Sequence, residues 1–302
     1  MTPTPIRFQI GARTLMSVPR KLQRVEQGLD AAIAGDLPDL PPLTPGQDGY
    51  SLVSLPVPRL AAARRQADGL IVHLRQAYTR YFVDLTIGRD AWLAGLSGNT
   101  RSGLKRKQRR LAEASGGTID IRTYRTVTEL ADFHILARRV SAATYQEKLL
   151  DAGLPTGAAF LRGMGELAAA DRVRGWLLFL HGAPIAYLYC PADGDTLIYD
   201  LLGHDPAHND LSPGVVLLAA ALADAMAEGR FARMDFTSGE GQHKRTFATD
   251  GVPCVDLLLL RPTLANRLVL GALDRFDRAM ALGKRAAAIP ALRPLTQRLR
   301  RA

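Results

Sequence analysis

Cysteine is nearly missing from this chain. Cys190 and Cys254 are the two in 302 residues, with no Cys-x-x-Cys spacing, and both fall in or beside apolar runs. That excludes a disulfide-stapled fold and predicts buried thiols in a reducing, cytoplasmic setting. No His, Cys, Asp or Glu cluster has metal-ligand spacing, so no metal is expected. No run approaches the ~20 uninterrupted apolar residues of a bilayer-spanning helix. Residues 1–20 lack an apolar stretch and a small-residue cleavage site, so no leader is expected. Neither Gly-x-Gly-x-x-Gly nor Gly-x-x-x-x-Gly-Lys-Ser/Thr occurs, which argues against the nucleotide folds built on those loops. There is no internal repeat of 20–50 residues.

What is present is charge in two patches. The formal net charge is +10. Arg101, Lys105, Arg106, Lys107, Arg109 and Arg110 crowd one short segment, and ten more cations lie between Arg261 and Ala302 against Asp274 and Asp277. The rest of the chain is net acidic. Such patches suit polyanions: CoA phosphates, an anionic membrane surface or nucleic acid. The 101–110 segment lacks interleaved aromatics, so no specific nucleic-acid partner is expected.

Residues 36–49 form a Pro/Gly-rich loop. A helix is expected over 19–34, and β-type runs over 50–55, 69–74 and 78–87. Asn99 is placed to cap a basic helix to about Ser115. Three strands are expected at 173–180, 184–190 and 196–202, turning at His181-Gly182 and Asp193-Gly194. A helix apolar nearly all round follows over 213–228, then strands at 233–236 and 255–260. An antiparallel meander, a helix and two more strands predict an α+β fold, not a doubly wound one.

Polar clusters stand at element ends in residues 199–247. Ser212-Pro213-Gly214 is a helix start whose free N–H groups attract an anion such as a pyrophosphate. Asp235, His243 and Lys244 put acid, base and cation around one Gly-bearing turn. Tyr199, Asp200, His204 and Asp205 decorate a strand end. The two-residue period puts Asp200 and His204 on one face, and Asp205 is either an orienting carboxylate or a turn residue. The C-terminal 40 residues read as basic and amphipathic, suited to a membrane interface or to packing with a charged outer face.

These residues resemble the GNAT-like acyltransferases of the BioF2/CelD type, relatives of the FemAB peptidoglycan aminoacyltransferases. The likeness runs from the basic helix at Leu104–Leu111 to Phe247. It is carried by His204-Asp205-Pro206, Ser212-Pro213-Gly214, Asp235-Phe236 with Gly239, and Lys244 with Phe247. It departs from that pattern in lacking the usual Arg/Gln-x-x-Gly-x-Gly/Ala loop and in having His243 for Tyr and Phe247 for Trp. Residues 144–154 are also similar to the GNAT-type bacterial ceramide synthases.

The resemblance implies a mostly antiparallel, GNAT-like mixed sheet flanked by helices. It implies a smaller degenerate GNAT-like half at 1–97, a catalytic domain at 98–262 and a basic helical C-terminus at 263–302. The expected activity is transfer of an acyl group from acyl-CoA to a primary amine. The acceptor is a long-chain base at the inner face of a membrane; the alternatives are an amino sugar or aminoacyl-tRNA-dependent transfer. His204 and Asp235, then His243, are the candidate bases, and Lys244 positions the acceptor or offsets charge. Backbone N–H groups at Ile185–Tyr189 are expected to hold the oxyanion. Ser212, Pro213, Gly214, Arg106 and Arg110 are expected to meet the donor, and Tyr145, Tyr187, Tyr199 and Asp200 the acceptor.

Overall fold

Alternation along the strands at 173–193 decides the architecture, because successive side chains serve two different helical layers. The computed structural model describes residues 4–10, 13–144, 153–239 and 241–288. The chain begins with β1 (Thr4–Ile10), β2 (Arg13–Arg20), β3 (Leu22–Glu26), α1 (Leu29–Ala34), β4 (Gly49–Pro56), α2 (Leu60–Gln66) and β5 (Ile71–Asp84). It continues through α3 (Gly88–Gly95), α4 (Gly98–Ala114), β6 (Asp120–Tyr124), α5 (Val127–Ala143), α6 (Ala158–Ala169), β7 (Val173–Leu180), β8 (Ala183–Asp193), β9 (Thr196–Ile198) and β10 (Leu201–His204). After a 3-10 turn at Pro206–Leu211 come α7 (Pro213–Glu228), β11 (Arg233–Asp235), α8 (Gln242–Phe247), β12 (Asp250–Leu260) and α9 (Leu264–Ala288).

These elements form two compact units, one from residues within 1–27, 34–77 and 255–302, the other from 28–33 and 78–254. The strands β5 and β12 have residues in both. In the first unit β1 and β2 make an antiparallel hairpin, and β3 runs parallel to β4. One face of its sheet packs Leu52, Leu55, Leu257 and Leu259 against Ala63 and Ala67. Another cluster joins Ile6, Phe8, Leu258 and Leu260 to Leu270 and Leu273 of α9.

In the second unit, β11 lies between β5, antiparallel, and β9, parallel. Antiparallel pairing then runs from β9 through β8 and β7 to β6, with β10 also on β8. Trp176, Leu178, Ala186 and Leu188 face Leu104 and Leu111 of α4 and Leu217, Leu218, Ala221 and Leu222 of α7. The intervening Leu177, Phe179, Tyr187 and Tyr189 face Leu130, Phe133 and Val140 of α5 and Met164 of α6. The mostly antiparallel sheet flanked by helices agrees with the expected α+β class.

Several local expectations are corrected. The helix expected over 19–34 is confined to Leu29–Ala34; Leu22–Glu26 is a strand instead, because it completes the edge of β4 from Leu22↔Gly49 to Glu26↔Val53. The runs at 69–74 and 78–87 are one strand, since Arg75-Gln76-Ala77 between them has no turn-forming Gly or Pro. Ser97, not Asn99, caps α4: its Oγ accepts the Thr100 N–H at 3.2 Å. Strand 196–202 is broken in two, with consequences below. Among the described residues no helix is long and apolar enough to cross a membrane, and no metal-holding cluster occurs.

Candidate active site

The break between β9 and β10 makes the site. Leu197 pairs with Ala192 and Leu201 with Tyr189. Three residues, 198–200, therefore oppose two, which is a β-bulge. The Tyr199 N–H still reaches the Asp235 carbonyl of β11 at 2.9 Å. Beyond it the neighbours part: β10 follows β8, while Phe236 donates its N–H to the Tyr81 carbonyl of β5 at 3.0 Å. A wedge opens between β10 and the residues after β11.

Antiparallel alternation assigns the main-chain groups along this wedge. Asp205 N–H donates to Ile185 O at 2.8 Å, so Gly203 and Leu201 also aim at β8. The N–H and C=O groups of Leu202 and His204 point into the opening. This corrects the oxyanion site expected at Ile185–Tyr189, whose residues pair with β7 on one edge and largely with β10 on the other.

His204 stands at the lip of the wedge, partly buried. Its Nε2 lies 2.7 Å from Asn209 Oδ1 in the 3-10 turn. A carboxamide oxygen there accepts the Nε2 proton and leaves the Nδ1 lone pair available. A Cβ added at Gly214 would come 3.5 Å from Nδ1, so that edge of the ring overlies the first turn of α7. Asp205 takes the turn role: its Oδ1 accepts the Ala207 N–H at 2.9 Å. The orienting partner of His204 is therefore Asn209, and Asp200 lies in the bulge.

The helix start at Ser212-Pro213-Gly214 forms as expected, with Pro213 first in α7. Ser212 adopts a left-handed φ of 54° and makes no side-chain cap. Its carbonyl accepts from both Val215 and Val216, and Pro213 has no N–H. Among the described residues the donor left at the tip is that of Gly214. Across the wedge Thr237 is also left-handed, at 60°. Non-glycine residues in that region carry strain that recurs at functional sites.

Beside the tip lies a cleft of about 540 Å³. It is lined by Asn99, Thr100, Arg106 and Lys107 of α4, Val215 of α7, and Gln242, His243 and Thr246 of α8, with no carboxylate. Arg110 is tied to Asp210 at 3.0 Å, both more than half exposed. Such a surface pair is worth at most about 1 kcal/mol, so an incoming phosphate can displace it. The His243 ring sits 5.8 Å from that of Tyr199, which meets Phe236 edge-on at 5.5 Å. Burial raises the Tyr199 phenol well above its usual range and keeps it protonated. Desolvation, then the Lys244 charge, lowers the His243 pKa from 6.5.

That lowering fixes a sign. Below pH 6.5 the unfolded chain protonates His243 before the folded chain does, so acid removes stability. Between about pH 7.5 and about pH 5.5 the Tm of His243→Gln should fall less than that of the wild type. Equal slopes in a thermal-melt series would contradict the assignment.

The remaining expected site residues lie apart. Asp235 is 1% exposed, and its carboxylate is paired with Arg80: Nη2–Oδ2 is 2.5 Å and Nε–Oδ1 3.1 Å. Oδ1 also accepts the Thr237 N–H at 2.8 Å. Lys244 Nζ donates to Ser238 O at 2.8 Å and holds the turn before α8. Tyr187 is buried on the α5 and α6 face, opposite His204, with its ring against Gly203. A Cβ at Gly203 would come 2.4 Å from that ring. Gly203→Ala should therefore cost about 1–3 kcal/mol in denaturant unfolding, and an unchanged midpoint would refute the packing. Desolvation raises the Asp200 carboxyl pKa. Tyr145 lies outside the described residues.

Arg80 and Asn209 escaped notice in the sequence. Arg80 had one signal: it shares strand parity with Tyr78 and Phe82, all three buried, so a cation stands on an apolar face.

Residues 98–245, just under half the chain, match the family model described as an acetyltransferase (GNAT) domain. Among solved structures the chain is similar to FemX, at 10% identity over 70% of this chain and 73% of that one, TM-score 0.48. It is similar to L-PGS from Bacillus licheniformis at 14% identity over 73% and 71%, TM-score 0.47. It is also similar to a GCN5-related N-acetyltransferase from Kribbella flavida at 14% identity over 73% and 71%, TM-score 0.38. At these scores no functional inference attaches to them. No curated protein matches the chain. The wedge and most of the cleft lining thus fall in the stretch that matches an acetyltransferase (GNAT) domain, which supports an N-acyltransferase.

Proposed function

We propose that this domain moves an acyl group from acyl-CoA to the amine of a long-chain, sphingoid-type base, giving a ceramide-type amide. The observation that carries the transfer chemistry is the wedge between β10 and β11, with the His204 Nδ1 edge and the Gly214 N–H at its mouth. The cationic cleft beside it suits the donor's phosphates. Arg106 and Lys107 supply charge, and the start of α7 supplies an N–H and its dipole. Support for the lipid acceptor comes from the likeness of residues 144–154 to ceramide synthases and from the basic, amphipathic C-terminus.

The chemistry follows from the groups around the wedge. The His204 Nδ1 lone pair takes a proton from the acceptor ammonium, freeing the amine lone pair. The amine nitrogen attacks the thioester carbonyl carbon, and the carbonyl π electrons move to oxygen. A main-chain N–H from Leu202 or His204 stabilises that oxyanion. Its collapse breaks the C–S bond; the leaving thiolate takes a proton from the imidazolium, and the new amide nitrogen gives its remaining extra proton to water. Asp235 acts through Arg80 and the Thr237 turn as a positioning residue, and Lys244 holds the facing turn.

The donor assignment is tested by kinetics on Arg106→Ala with Lys107→Ala. The KM for acyl-CoA should rise about tenfold while kcat stays within about twofold, the signature of lost ground-state binding. An unchanged KM would place the donor elsewhere. A second reading, an aminoacyl-tRNA donor, is favoured by the exposed row Lys105, Arg106, Arg109 and Arg110 on α4. Activity abolished by ribonuclease would select it.

A further inference from the structure

Among the described residues, the three most exposed large apolar side chains are Leu264, Leu268 and Leu282, at 74%, 65% and 63%. All three lie on α9. With 3.6 residues per turn they share, with Arg275 and Arg278, a stripe about 80° wide, and Arg267 borders it. All three arginines are exposed. None of them has a carboxylate partner among the described residues.

The helix is otherwise well packed, so the stripe is not a by-product of poor docking. Leu270 and Leu273 are buried among Ile6, Phe8, Leu258 and Leu260. The Phe8 and Phe276 rings meet edge-on at 5.5 Å. Both acids of α9 turn toward β5: Asp277 Oδ2 lies 2.9 Å from Arg75, and Asp274 Oδ1 lies 3.6 Å from His73. The outer face is left with leucine and arginine.

We propose that this outer stripe of α9 docks on an anionic lipid surface. The arginines meet headgroup phosphates and the leucines enter the acyl boundary. The residue types select this occupant. A single-stranded nucleic acid would be met with aromatic platforms, which the stripe lacks, and a duplex backbone offers its exposed leucines no apolar surface. A second copy of the chain would set one arginine stripe against another. The docking does not depend on which amine the enzyme acylates.

The test is sedimentation of the full chain with vesicles of phosphatidylcholine alone or with about 30% phosphatidylglycerol. The protein should pellet with the anionic vesicles and remain in solution with the neutral ones. Leu264→Ser with Leu268→Ser should weaken anionic binding about tenfold. Gln at 267, 275 and 278 should weaken it about 100-fold, at about fivefold per arginine, and remove most of its salt dependence. Both variants should release CoA with a soluble amine at the wild-type rate. A Leu268→Trp variant checks insertion without removing apolar surface: its fluorescence should shift to the blue on anionic vesicles.

The proposal is overturned by absence of pelleting, by no spectral shift in Leu268→Trp, or by vesicle binding indifferent to the leucines. It is equally overturned if the leucine substitutions dissociate a dimer in sedimentation equilibrium. Co-purifying RNA lost from the glutamine variant would also overturn it.

Discussion

Asp235→Ala should destabilise the fold by about 3–5 kcal/mol, enough to unfold a domain of ordinary stability. The cause is what the substitution leaves behind. Arg80 is 6% exposed, and its guanidinium makes two hydrogen bonds from Nε and one from Nη2 to Asp235. Burial alone would lower the Arg80 pKa, and the interaction with Asp235 overrides it and raises it. Removing the carboxylate takes these three hydrogen bonds from a buried cation and releases the Thr237 N–H. Asp235→Asn should lose nearly as much, because one amide oxygen cannot replace the carboxylate's charge.

The double substitution Arg80→Met with Asp235→Leu should recover most of the stability, since the buried cation is removed together with its carboxylate. It separates structure from chemistry. Recovery of both melting temperature and acyl transfer would show that the Asp235 carboxylate serves to neutralise Arg80 and is needed neither by the turn nor by the reaction. A stable double variant with no transfer activity would show that the carboxylate acts at the site, through the Thr237 turn or in the reaction itself.

His204→Ala should lower kcat by about 10²–10⁴, the range expected for losing a positioned general base. The KM for acyl-CoA should stay within about threefold, because the ring acts on the acceptor amine and not on the donor's phosphates. Its fold should survive, for the side chain is only partly buried and, among the described residues, its one side-chain hydrogen-bond partner is Asn209. Asn209→Ala should give a smaller loss in kcat, since the imidazole stays but the bond that orders its tautomer is gone. A His204→Ala enzyme at full rate, with His243→Ala dead, would move the base to α8.

The parts that local chemistry dictates were readable from the sequence. Pro213 starts α7, an apolar surface nearly all round buries it, and Gly229 at φ 67° ends it. The His181-Gly182 turn, with φ of 50° and 80°, sets the β7–β8 hairpin. The parts set by distant partners were not readable. Leu22–Glu26 is a strand because β4 needs an edge partner. The bulge at 198–200 exists because β11 holds Tyr199 while β8 holds Leu201, and nothing local marks that competition. The same break moves the oxyanion groups from β8 to β10. The turn after His204 offers Asp205, Asn209 and Asp210 as partners, and the fold alone distributes them among a backbone N–H, the imidazole and Arg110.

The central claim is that the wedge beside His204 joins a thioester to an amine. Its most direct test is release of free CoA by the purified full chain, followed with a thiol reagent. The enzyme is given a long-chain acyl-CoA with sphinganine, with an amino sugar, or with no amine. Release should require the amine, match amide formed one for one, favour sphinganine, and fall at least about 100-fold in His204→Ala. Release without amine, no release with any acceptor, or an undiminished rate in His204→Ala would contradict it.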